Sequence, residues 1–133
     1  MTTATQLLGL PLRPEKAEAQ MRNGLPYKAL ERTMRGTGFS LKDIARSLGI
    51  PLRTLMNHKG EGCLSANESD KLYRFTRVFS QAEEMTGSAK EAHDWLTERA
   101  PALGGVPPIT LLASDYGTQR VEGLIGRIMW GMG

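Results

Sequence analysis

Two short amphipathic stretches, 40–48 and 52–59, meet at Gly49-Ile50-Pro51, and this joint restricts the fold more than any other feature of the chain. Ser40 can cap the first stretch, Asp43 suits the positive end of a helix, and Leu41, Ile44 and Leu48 recur at helical spacing as a buried stripe. Ala45 is small where a second helix must cross closely. Gly49 accepts the positive φ of a tight turn, Ile50 plugs the angle, and Pro51 opens the second helix where no N–H is needed. The pattern predicts two helices locked at a steep angle.

The order of capping, small, turn and apolar positions resembles a helix-turn-helix. With Leu55 turned to the core, 100° per residue puts Arg53 and Asn57 about 160° away and Thr54 on the flank, facing a groove. Arg suits guanine, Asn suits adenine, and Thr suits a thymine methyl or a phosphate. Ser40, Lys42 and Lys59 lie where phosphates run. The alternative is a plain helical hairpin with a solvated polar face. Charge favours DNA: residues 1–60 carry ten Lys and Arg against four acids, a net +6, whereas the remainder is net −3. His58 stands where such motifs bury an apolar residue, which predicts a half-buried packing histidine.

Apolar residues recur at three- and four-residue steps throughout and no β-branched run alternates, so the expected fold class is all-α. A first helix is expected from Pro14 to before Asn23-Gly24, with thin apolar content, and 1–24 reads as a weakly packed N-terminal arm. A second covers Pro26 to Arg35 and ends at Gly36 and Gly38. Ser65 and Glu68 form a capping box for the longest helix, which ends before Gly87 and turns Leu72, Phe75, Phe79 and Ala82 inward. Arg74 and Arg77 could serve DNA phosphate or an acidic partner, or pair with Asp70 or Glu84. Ser88 to Glu91 repeats the capping signature before a helix offering Ala92, Trp95 and Leu96. A rigid Pro/Gly connector, 101–108, precedes a short helix with Ile109, Leu111 and Leu112. The last helix, from about Thr118, carries Val121, Leu124, Ile125 and Ile128, with Gly123 and Gly126 leaving another face bare. Trp130 and two methionines near the final residue suggest a docking surface. The expected division is an arm at 1–24, a helix-turn-helix region at 25–86 and a small helical domain at 87–133.

With a single cysteine, Cys63, the chain has no internal disulfide and no zinc or iron–sulfur ligand set. Gly104-Gly105 has no adjoining strand and no Lys-Ser/Thr, which argues against a nucleotide loop. His93 and Asp94 are adjacent on a helix, Cys63 has no evident base, and no carboxylate pair is set by spacing, so no enzyme, catalytic residue, cofactor or metal is expected. Neither a leader nor an apolar span is evident, and a soluble, cytoplasmic protein without a membrane partner is expected.

Residues 25–133 resemble the Xre/MbcA/ParS antitoxins of bacterial toxin–antitoxin operons. The likeness rests on Arg53-Thr54-Leu55, Leu64-Ser65, Glu68-Ser69-Asp70, Leu72, Arg74, Arg77 and Ala82. It continues through Ala92, Trp95-Leu96, Leu103-Gly104-Gly105, Pro108, Leu111-Leu112, Gly117, Val121, Arg127-Ile128 and Gly131. Arg99-Ala100 departs from the family's tendency toward Pro-Asn. The resemblance implies an Xre-like region that represses its own operon and a C-terminal domain that binds a toxin. The family's usual toxin has a RES domain that degrades NAD, and the antitoxin's end would cover its active-site entrance. NAD is then the toxin's substrate, not a cofactor of this chain. Leu103, Gly104, Arg127, Ile128, Trp130 and Met132 are the implied toxin-binding residues, operator DNA is the second partner, and a homodimer is expected from paired half-sites. The competing reading is a stand-alone phage-type repressor whose C-terminal part only dimerises, and an adjacent RES-domain reading frame would separate the two.

Overall fold

The computed structural model describes residues 2–131, and its elements follow from their caps. Thr3 and Gln6 form a reciprocal capping box at the start of α1 (Ala4–Leu8), which Gly9 closes at φ 72°. Then come α2 (Pro14–Asn23), α3 (Tyr27–Thr37), α4 (Leu41–Leu48) and α5 (Leu52–Glu61). The long α6 (Ala66–Thr86) and α7 (Ala89–Thr97) follow, then two 3-10 turns (Pro101–Leu103 and Pro108–Leu111) and α8 (Asp115–Trp130). The fold is all-α. Among the described residues there is no strand, only two isolated bridges, Pro26 to Cys63 and Ala100 to Val106. No described helix is long and apolar enough to cross a membrane.

α6 is the axis on which α1, α2, α3, α4, α7 and α8 pack, while α5 packs on α4. Leu72, Phe75, Phe79 and Ala82 are all buried, as their spacing predicts, and Val78 joins them. Full burial of side chains of this size contributes roughly 1.5–3 kcal/mol each. One continuous apolar cluster reaches from Leu7 through Ile44, Leu55 and Phe75 to Leu96 and Ile125.

The N-terminal segment departs from the expectation of a weakly packed arm. α2 buries none of its residues fully. Residues 4–10 behave otherwise: Leu7, Leu8 and Leu10 enter the core, α1 packs on α3 and α6, and the Thr2 N–H donates to buried Glu83 at 3.0 Å. Gly36 does not end α3, which runs to Thr37 with Gly38 as its cap. A Cβ at Gly36 would meet Leu7 Cδ2 at 2.4 Å, so the glycine makes room for α1.

The C-terminal region is fixed on α6 by side chains 38 to 45 residues away. Arg74 donates to the carbonyls of Leu112 and Ala113, both at 3.2 Å. Arg77 grips Glu122 with two bonds of 3.0 and 3.1 Å, and the Gln81 amide adds a third at 2.9 Å. This corrects the expectation for both arginines. Among the described residues they pair with neither Asp70 nor Glu84, because the fold brings carbonyls and another carboxylate within reach. α8 begins three residues before the expected Thr118, since Ser114 caps it by accepting from the Gly117 N–H at 3.0 Å. Gly117 is required there, because a Cβ would stand 2.1 Å from the Leu111 carbonyl oxygen.

Candidate functional site

Ser40 caps α4 by accepting from the Asp43 N–H at 3.1 Å, and its own hydroxyl proton is left to donate outward. Gly49 ends α4 at φ 71°, Ile50 is buried in the angle, and Leu55 is buried against the core. Pro51 is the residue preceding α5 and not its first, with extended backbone at φ −57° and ψ 137°. The placement agrees with the helical arithmetic: Arg53 and Asn57 are exposed on α5 and Thr54 is half-buried on its flank. Lys42 and Lys59 are exposed as well. Met56, passed over in the sequence reasoning, is exposed and shares a shallow depression with Leu52, Arg53 and Asn57, adding an apolar contact of the kind a thymine methyl accepts.

The far end of α5 is held where it meets α3 and α6. The Tyr27 N–H donates to Gly62 O at 2.7 Å and the Leu64 N–H to Leu25 O at 2.8 Å. The Leu25 N–H in turn donates to Ser69 Oγ at 2.8 Å. His58 is packed inward, and its Nε2 lies 2.8 Å from Glu68 Oε1, with side chains 16% and 12% exposed. Glu68 also accepts the Ser65 N–H at 2.8 Å, so one carboxylate caps α6 and steadies α5. Burial pushes the Glu68 carboxyl up, but hydrogen bonds from the Ser65 backbone, His58 and the Ser65 hydroxyl outweigh it and hold the carboxyl below its ordinary value. A lowered folded-state value means stabilisation that is present above the unfolded pKa and lost as pH falls through the folded one. Glu68→Gln should therefore flatten the decline in melting temperature below about pH 4.5, and should cost about 1 kcal/mol at neutral pH. Thermal melts between pH 3 and 7 check this, and an unchanged acid slope would contradict it.

The second group of sequence-predicted residues lies on α8 and the connector. Trp130 is 76% exposed, Ile128 is 50% exposed, and Arg127 faces solvent. Two residues apart on a helix, Ile128 and Trp130 point about 160° away from each other. Ile128 belongs to a cleft of about 230 Å³ lined by Trp95, Pro101 and Leu124, with Glu98 and Arg99 at its rim. Trp130 stands on the opposite side. Leu103, at 3% exposure, is a core residue that props the connector from within. Gly104 is exposed at φ 83°, followed by Gly105 at φ 82°, and the Gly105 N–H closes the loop onto Ala100 O at 2.9 Å. Met132 lies outside the described residues. Tyr116, 77% exposed, is a large exposed ring that the sequence reasoning missed.

His93 is engaged in packing. The His93 ring stacks on Phe39 with centroids 4.1 Å apart, and its Nδ1 is 3.9 Å from Asp94 Oδ1, beyond hydrogen-bond distance. No group of three or more potential metal ligands occurs among the described residues.

Comparison with known proteins matches both regions. The antitoxin Xre-like helix-turn-helix domain profile covers residues 17–77. The profile of the antitoxin Xre/MbcA/ParS C-terminal toxin-binding domain covers residues 81–131. An antitoxin Xre of Photorhabdus laumondii is 32% identical over 116 residues, which is 86% of this chain and 78% of the relative. An antitoxin Xre of Pseudomonas putida is 33% identical over 70% of this chain and 59% of its own length. One from Yersinia enterocolitica is 34% identical over 68% and 62%. The chain thus spans less than two thirds of the latter two relatives.

Proposed function

This chain belongs to the Xre family of antitoxins, and from that premise we propose that it neutralises a RES-domain, NAD-degrading toxin by covering the toxin's active-site entrance and represses its own operon through α5. The observation that carries the first part is Trp130, 76% exposed at the end of α8 inside the matched toxin-binding segment. Trp is enriched among interface anchors, and truncating such an anchor often costs 2 kcal/mol or more. Arg127 supplies a charge beside it, and Ile128 an apolar edge on the other side of the helix. Purification of the chain together with the product of the adjacent reading frame tests the pairing. A stable complex is expected, and two proteins that elute separately would contradict it.

The second part is supported by the exposure of Arg53 and Asn57 on the second helix of the motif. Arg53→Ala should weaken binding to the chain's own promoter by about 1–3 kcal/mol, as expected when a bidentate base contact is lost. Lys42→Ala should weaken all sequences alike and flatten the salt dependence by about one charge. Mobility shifts on promoter and scrambled duplexes distinguish these effects, and unchanged promoter binding by Arg53→Ala would remove α5 from the role. A dimer on paired half-sites is part of the proposal, to be checked by light scattering on the DNA complex.

A further inference from the structure

The solvent face of α8 carries a ladder with a seven-residue period. Tyr116, Gly123 and Trp130 are seven apart, and Arg120 and Arg127, also seven apart, fall between them. At 100° per residue the five positions lie within an arc of about 80° and run about 21 Å along the helix axis. All five are exposed, whereas Val121, Leu124 and Ile125 turn to the core. The acids of the helix are committed elsewhere, Glu122 to Arg77 and Asp115 to the Gln119 amide, and among the described residues neither Arg120 nor Arg127 has a carboxylate within ion-pair distance.

Gly123 is the second, independent observation. A glycine inside a helix weakens it, and of the three in α8, Gly117 is buried with an internal reason in the Leu111 carbonyl, whereas Gly126, outside the ladder, is open like Gly123. Gly123 has no such reason: its φ is helical, and a Cβ there would find only the Arg127 guanidinium, at 3.7 Å. A bare position at the midpoint of an exposed ladder lets something outside this chain approach the backbone.

We propose that α8 lies lengthwise in an acidic groove of the toxin, with Tyr116 and Trp130 in apolar pockets near its two ends, Arg120 and Arg127 paired with the toxin's carboxylates, and the toxin's main chain against Gly123. This rests on the antitoxin reading and adds the chemistry of the partner. It is the helix-in-groove mode, with anchors repeating along one face. Residues 61–133 are net −3, and the two guanidiniums put positive charge on this face of α8, where an acidic surface can approach. Duplex DNA would satisfy the arginines but leave both rings without apolar pockets.

The test titrates the full chain with the product of the adjacent reading frame and follows affinity beside melting temperature. Arg120→Glu with Arg127→Glu should lower affinity at least 100-fold and invert its salt dependence, since salt then screens a repulsion. Gly123→Gln should lower affinity at least tenfold while leaving the melting temperature equal or higher, a pairing of effects that a role in folding alone does not produce. Wild-type affinity in both variants overturns the groove, as does a loss confined to promoter DNA binding. If the intact chain forms no complex at all, the antitoxin–toxin pairing fails and this inference with it. A complex indifferent to the ladder removes the inference alone.

Discussion

A chain ending at Arg127 should stay folded, keep its promoter binding and lose neutralisation of the proposed toxin. The side chains that hold α8 to the core, Val121, Leu124 and Ile125, precede the cut, and so do the Arg77–Glu122 pair and the Arg74 bonds to Leu112 and Ala113. What is removed includes two exposed groups, Ile128 and Trp130, and one partly buried one, Met129. The cost to stability should be about 1–2 kcal/mol, chiefly from Met129. Growth under toxin expression and mobility shifts on the promoter should therefore come apart. If the truncated chain still protects cells from NAD loss, neutralisation must come from the part of α8 before the cut or from the surface around 103–112 instead.

Phe39→Ala should be among the most destabilising single changes in the chain, by about 3–5 kcal/mol. Phe39 precedes the Ser40 cap, and its ring meets Phe75 edge-on at 5.8 Å, Phe79 at 6.3 Å and the His93 ring in a stack at 4.1 Å. One side chain thus joins the entrance of α4 to α6 and α7. A domain of this size has roughly 5–15 kcal/mol in total, so the loss should lower the melting temperature by about 10–15 °C. Unlike the truncation, it should weaken DNA binding and toxin binding together as the unfolded fraction grows. Phe39→Leu should recover most of the loss, and a melt of Phe39→Ala within about 2 °C of wild type would contradict the assignment.

The capped and periodic elements were legible in the sequence because their causes are local. Ser40, Ser65 and Ser88 cap as their spacing from Asp43, Glu68 and Glu91 implies, and Gly49 takes the positive φ that its turn demands. α1 escaped because five residues are too few to show a period, although Thr3 and Gln6 carried its capping box. Gly36 and Gly117 were illegible for another reason: a glycine that ends a helix and one that admits a neighbour look the same until Leu7 and the Leu111 carbonyl are placed. Arg74 and Arg77 find partners far along the chain, which no local pattern foretells. At the candidate sites, exposure of Arg53 and Asn57 followed from helical phase, whereas Trp130 was marked by the apolar residues around it and Arg127 by the family resemblance. Placing the start of α8 at Thr118 cut Tyr116 away from its helix and hid the ladder, while burial of Leu103 depended on how the connector folds back.

The central claim is that this chain silences its toxin by occluding the active site with the end of α8. NAD consumption by the purified product of the adjacent reading frame, followed while the intact chain is titrated in, tests it most directly. The claim predicts that consumption falls to background at stoichiometric chain and that Trp130→Ala shifts the titration about 30-fold or more, the equivalent of 2 kcal/mol or more. A stable complex in which NAD is consumed at the rate of the free toxin would contradict it.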